Sequence, residues 1–228
     1  MNRNREIIAR IIQVVEILRD LTDEFVFLGG SVVPLLITDE AAPDVRPTKD
    51  VDVVVQALTR SQYHDVEKRL AQVGFHLDML DPVICRYKHG SLILDVMPTD
   101  EKVLSFGNRW YAMAADAPVD YPLLPTRGIR VINAPLFLCT KFEAYKVRGK
   151  VDEKDLEDII NIVDGRRELL DELKSASLEV RIFVAKSTAE QLTFGLESRL
   201  DWFLPTDAAG AARQGLVVER LRAIAVLT

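Results

Sequence analysis

The chain has 228 residues, 48% hydrophobic and 28% charged, with a formal net charge of −6. Such a composition suits one large or two small globular domains with a real core. The acidic balance excludes a broadly basic nucleic-acid binder, though it leaves room for a local basic patch.

The first element expected is an amphipathic helix over about Asn4–Leu21, where Ile7, Ile8, Ile11, Val15 and Leu18 recur at helical spacing. FVFL is a short buried strand ended by Gly29-Gly30. SVVPLLI then reads as a short helix with Ser31 at or near its N-cap and Pro34 in its first turn. TDEAAPDVRPT is a loop, and KDVDVVV is the next strand. SQYHDVEKRLAQVG reads as a helix capped by Ser61 and stopped by Gly74. FHLDML and ICRYK are strands, the second joined through His89-Gly90 to SLILDVM as a hairpin. From about Asp100 to Pro125 the pattern is irregular, with Trp110 and Tyr111 as core anchors, and IRVINAP is one more short strand.

After Pro135 the periodicity is helical. PLFLCTKFEAYKVRG, DEKDLEDIINIVDG, RRELLDELKSA and a stretch from Leu178 to about Leu204 all suit helices, and a last helix follows Gly210. The expected fold class is α+β, a mixed β-sheet core flanked by helices and followed by a C-terminal helical domain. The expected domains are 1–134 and 135–228. No apolar run approaches the roughly 18 residues of a bilayer span, and MNRNREIIAR lacks the features of a secretory signal. The expectation is therefore a soluble, cytoplasmic protein with no membrane contact. Cys85 and Cys139, both in apolar runs, are read as buried reduced thiols.

Two acids interrupt the KDVDVVV strand. Alternation puts Asp50 and Asp52 on one face and Val51 and Val53 on the other. Asp95 follows the apolar LIL on the hairpin's second arm. If these strands are neighbours, three carboxylates converge, and each raises the others' pKa unless a positive charge sits between them. Magnesium, a hard cation commonly held by one or two carboxylates plus substrate phosphates, serves that purpose. Upstream, Gly29, Gly30 and Ser31 turn from a strand into a helix, exposing backbone N–H groups that suit a phosphate. No Gly-Lys-Ser/Thr follows, so this is not a P-loop. His64, His76 and His89 lack metal-ligand spacing. Arg86, on the arm opposite Asp95, is read as an exposed strand arginine, the alternative being a contact with nucleobase or phosphate.

Together, LGGS, KDVDVVV and LILDVM resemble the nucleotidyltransferase superfamily of the DNA polymerase β type. The downstream PLFLCTKFEAYKVRGKVDEKDLEDI is similar to the helical segment of the AbiEii/AbiGii-type toxin nucleotidyltransferases, which include MenT-like toxins. The resemblance spans roughly Phe25 to Gly165. It implies a magnesium-dependent enzyme with two ions, manganese being a possible substitute, that moves a nucleoside monophosphate from an NTP to an acceptor hydroxyl. The implied acceptor is RNA, at the 3′ end of a tRNA, in a toxin–antitoxin setting with a cognate antitoxin as partner.

By the same resemblance Asp50, Asp52 and Asp95 hold metal. Gly29, Gly30, Ser31 and Lys49 hold the nucleotide, and Lys141 neutralises phosphate charge. Lys146 and Arg148 extend a basic strip that runs to Lys150, and Asp155 orients Lys141 or Arg148. Ser31, Asp50, Asp52 and Asp95 are then expected to face one cleft, with Lys141 reaching in from the helical half. Two-metal transfer needs positioning and charge neutralisation rather than a protein nucleophile. Alternatives are transfer to a small molecule or protein side chain, and a non-catalytic relative that binds nucleotide or a partner protein.

Overall fold

A computed structural model describes residues 3–148 and 153–227. The chain forms two compact units, one of residues 1–35 and 46–133, the other of residues 36–45 and 134–228. The first is α+β. Helix α1 (Arg3–Leu18) buries Ile7, Ile11, Val14, Val15 and Leu18 along one stripe, as its 3.6-residue spacing requires. A 3-10 turn (Arg19–Glu24) leads to strand β1 (Phe25–Leu28), buried at all four positions.

Gly29 leaves β1 with φ +72°. It is the N-cap of a 3-10 turn, Gly30–Val32, that runs into the single helical turn α2 (Val33–Leu36). Gly29 is the cap itself, and Ser31 lies near it as the second residue of the turn. Strand β2 (Asp50–Val55) follows, then α3 (Arg60–Gln72). Thr59, not Ser61, caps α3: its hydroxyl accepts the Gln62 N–H at 3.2 Å, while the Gln62 side chain accepts the Thr59 N–H at 3.1 Å. The expected FHLDML strand is only His76–Leu77 (β3), because Asp78 and Asp81 accept backbone N–H groups two residues on and turn the chain.

Strands β4 (Arg86–His89) and β5 (Leu92–Pro98) form the expected hairpin. The segment expected to be irregular holds a short helix, α4 (Tyr111–Asp116), and strand β6 (Val119–Leu124), which pairs with β7 (Arg127–Val131). Trp110 is buried and Tyr111 half-buried. The seven strands make one mixed sheet in the order β3-β4-β5-β2-β1-β7-β6. Strands β2 and β5 run parallel, as do β1 and β7, and the other neighbours are antiparallel. Parallel neighbours need a crossover, and between β2 and β5 the chain passes through α3 and the β3-β4 arm.

The second unit is helical. It contains α5 (Ala134–Arg148), α6 (Lys154–Gly165), α7 (Leu169–Ser175), α8 (Leu178–Thr193), a 3-10 turn (Leu196–Trp202) and α9 (Ala208–Ala225). The expected start of α6 at Asp152 lies outside the described residues. Nine consecutive residues of α5, Ala134 to Phe142, are buried, so it is the unit's central helix, packed on α6, α7 and α8. The stretch beyond Thr193 is a 3-10 turn rather than more α-helix, because Gly195 turns left-handed there at φ +79°. Trp202, in the 3-10 turn, is 66% exposed.

Residues 36–45 belong to this unit through polar contacts. The Thr38 and Asp39 N–H groups both donate to the Gly165 carbonyl, at 2.9 and 2.8 Å. A side chain at Gly165 would put its Cβ 2.9 Å from Ile37, so glycine permits that close approach. Among the described residues no helix is long and apolar enough to cross a membrane.

Candidate active site

The first unit carries the acid-bearing face. In the β2–β5 register Asp52 lies directly beside Asp95. Partners in register point to the same side of a sheet, and alternation carries Asp50 to that side as well. The opposite face takes Val51, Val53, Leu94 and Val96, all buried. Asp50 and Asp52 are half-buried, and Asp95 is 6% exposed. Its burial raises the carboxyl pKa above the usual range, against the lowering effect of Arg86.

Arg86 is not the exposed strand arginine that the sequence indicates. It sits opposite Asp95 in the β4–β5 register and its side chain is 17% exposed. Nε donates to Asp95 Oδ1 at 2.8 Å, and Nη2 donates to Asp95 Oδ2 at 2.7 Å and to Asp50 Oδ2 at 3.1 Å. Nη1 donates to Asp81 Oδ2 at 3.2 Å. This planar fork suits a bidentate carboxylate, and the bonds to Asp95 hold the guanidinium pKa up. The hairpin already puts Arg86 across from Asp95; what the sequence did not show is that Asp50 and Asp81 meet the same guanidinium.

The Gly-Gly-Ser turn meets the same face. Leu28 is the β1 partner of Asp52, so the chain leaves the strand beside that carboxylate. A Cβ on Gly29 would lie 2.0 Å from Asp52 Oδ2, at a φ that L side chains rarely adopt. Gly29→Ala is therefore expected to displace Asp52 or the turn and to destabilise the unit by about 1–3 kcal/mol. A urea-unfolding midpoint equal to that of the wild type would rule this out. Ser31 is buried, and its hydroxyl donates to the Leu28 carbonyl at 3.4 Å. Lys49 is exposed. Thr48 donates to Asp50 Oδ1 at 2.6 Å, and Arg10 of α1 donates to the Thr48 carbonyl, which anchors the start of β2.

Beneath this face lies Cys85, buried, its thiol pushed up to about 12 by burial and by Asp95 and Asp52. Cys139 is fully buried in α5. Neither thiol is expected to react with an aromatic disulfide reagent in the folded protein at pH 8, and both should react after denaturation. Rapid native labelling would overturn that expectation.

In the second unit Lys141 is buried, its ammonium 3.2 Å from Asp155 and 2.5 Å from Asp158 of α6. Arg148 also reaches Asp155, at 3.1 Å, and Lys146 pairs with Glu190 at 3.2 Å. Each of these three cations thus has an acidic neighbour, and Lys150 lies outside the described residues. Asp155 joins Lys141 and Arg148 together rather than one of them.

The donor set on the sheet face fits a hard cation by chemistry: carboxylate oxygens on adjoining strands, with Gly29 leaving room at Asp52. Among the described residues no three His, Cys, Asp or Glu side chains converge closely enough to hold a metal ion as they stand. Asp95 and Asp50 instead converge on Arg86.

No model of a known protein family matches the chain, and no curated protein sequence does. The fold does have solved counterparts. An antigenic nucleotidyltransferase-like protein from Paracoccidioides brasiliensis superposes with a TM-score of 0.54 at 17% identity, over 84% of this chain and 91% of that one. JHP933 from Helicobacter pylori superposes with a TM-score of 0.51 at 12% identity, over 100% of this chain and 92% of that one. The fold, a mixed sheet with helices plus a helical region, is similar to the folds of these two proteins.

Proposed function

We propose that this chain is a metal-dependent nucleotidyltransferase that moves a nucleoside monophosphate from an NTP to an acceptor hydroxyl and releases pyrophosphate. One observation carries the reading. Asp50, Asp52 and Asp95 share a sheet face, and the Gly29 turn closes directly onto Asp52. Magnesium ions, two in this reading and replaceable by manganese, would neutralise charge on the attacking and leaving oxygens. Asp50 and Asp52 would hold them from β2, and Asp95 from β5, where its carboxylate would favour deprotonation of the acceptor hydroxyl. The backbone N–H groups of Gly29 and Gly30, with the Ser31 hydroxyl and Lys49, would hold the triphosphate. Lys141, fixed by Asp155 and Asp158, would supply a point charge for phosphate, with Lys146 and Arg148 on the same helix.

The acceptor in this reading is RNA, a tRNA 3′ end, and the setting a toxin restrained by a cognate antitoxin. A second reading, transfer to a small hydroxyl compound, is favoured by one observation: the acidic partners of Lys141, Lys146 and Arg148 leave little net positive charge for an RNA backbone. The test is to incubate the purified chain with each labelled NTP and magnesium, adding total tRNA, small hydroxyl compounds or protein in turn. Label on tRNA supports the toxin reading, and label on the small compound the second. No label on any acceptor would overturn both.

A further inference from the structure

We infer that Arg86 is the resident counter-charge of the carboxylate face, and that a divalent cation gains Asp50 and Asp95 only by displacing its guanidinium. This inference rests on the metal-dependent reading above and adds to it a residue that controls metal entry.

The geometry supplies the reasons. Asp95 is buried, and a buried carboxylate without a partner is costly. Arg86 meets that need with two parallel bonds and reaches Asp50 with the same Nη2 that touches Asp95. One nitrogen thus ties together two of the three acids. The oxygens it occupies, Oδ2 of Asp50 and both oxygens of Asp95, are the ones a cation on this face would need. A guanidinium stays charged at any physiological pH. Proton loss therefore cannot clear the site, and displacement can.

The displaced guanidinium has a foothold. Its remaining nitrogen, Nη1, is bonded to Asp81, which lies on the β3-β4 arm outside the acid trio. Asp81 is itself held by the Val83 N–H at 3.0 Å, and that bond first of all, with Arg86, keeps its carboxyl below the usual range. Arg86 can therefore yield Nε and Nη2 while keeping Nη1 on Asp81. The yielded pair forms a fork matched to two phosphate oxygens. A metal ion arriving with a triphosphate would exchange partners with Arg86, carboxylates for phosphate, whereas a metal ion alone has to compete with it.

Manganese binding to the full-length chain, followed by electron paramagnetic resonance with magnesium as competitor, tests this without any turnover. Arg86→Gln is expected to bind manganese about tenfold more tightly than wild type, because the competing cation is gone. Arg86→Lys keeps the charge but loses the fork, so it should fall between the two. If Arg86 instead only aligns the acids, its removal would weaken manganese binding or leave it unchanged, and either result overturns the inference. Arg86→Lys decides the matter in the same way if Arg86→Gln does not fold. Wild-type binding that Arg86 replacements do not tighten refutes this inference alone. Absence of binding in wild type and variants refutes the metal-dependent reading along with it.

Discussion

Asp52→Asn is expected to lower the rate of nucleotide transfer by about a thousandfold or more while leaving the fold intact. Replacing a residue that merely orients a metal ligand typically costs about 10- to 100-fold, so losing a ligand's charge costs more. The amide is nearly isosteric with the carboxylate, and Asp52 is half-buried, so stability should change by less than about 1 kcal/mol. Asp52 is a better probe than Asp95. Asp95 is buried and bound twice by Arg86, so its replacement would leave the guanidinium short of partners and mix a folding defect with a chemical one. The check is single-turnover transfer of labelled NTP beside a thermal melt of the same preparation. Transfer within tenfold of wild type would remove Asp52 from the metal site. A collapsed melting temperature would show that its contact with the Gly29 turn is structural.

What was legible in the sequence was local. The period-two pattern in KDVDVVV assigns Asp50 and Asp52 to one face, and the His89-Gly90 turn fixes the hairpin that brings Asp95 opposite Arg86. What was not legible depends on partners distant in the chain. Arg86 reads as a surface residue until β5 is laid beside β2 and Asp50, 36 positions away, comes within reach of its Nη2. Residues 38–45 read as a plain loop because nothing nearby reveals that Gly165, Arg167 and Arg213 will receive them. Ser61 and Thr59 are both credible caps by type. Only Thr59 has Gln62 three residues on to complete a capping box, and that spacing was available to a closer reading.

Arg213→Ala is expected to destabilise the helical unit by about 3–5 kcal/mol, the usual cost of leaving a buried charge without its partner. Arg213 projects from α9, and its Nε lies 2.8 and 2.7 Å from the two oxygens of Asp164, which is 1% exposed. Its Nη2 donates to Asp39 at 3.0 Å and its Nη1 to the Ala41 carbonyl at 3.2 Å, so one side chain joins α6, α9 and residues 36–45. The two acids respond oppositely to pH. Burial raises the pKa of Asp164 even with Arg213 present, so its charged form is disfavoured in the fold, and protonation below that pKa relieves the penalty.

Asp39 is held down at about 2, chiefly by Arg167 and by the Ala41 N–H, with Arg213 contributing. Its contribution is present above the unfolded aspartate pKa of about 3.9 and is lost as pH falls through about 2. In the variant Asp164 has lost its bonded counter-ion and keeps only the electrostatic pull of Arg220, so its pKa rises further and the charged form is worst tolerated near neutrality. The deficit against wild type should therefore be largest near neutral pH and shrink on acidification as Asp164 takes up its proton, above the usual carboxylate range, while Asp39, held at about 2, is still ionised. Urea unfolding of both proteins from neutral pH into acid measures it. A deficit that is constant with pH would mean that Arg213 acts through packing and its carbonyl bond alone. A deficit that holds from neutrality down to about pH 4 and shrinks only as pH falls further toward 2 would reverse the assignment, making Asp39 rather than Asp164 the carboxylate that depends on Arg213.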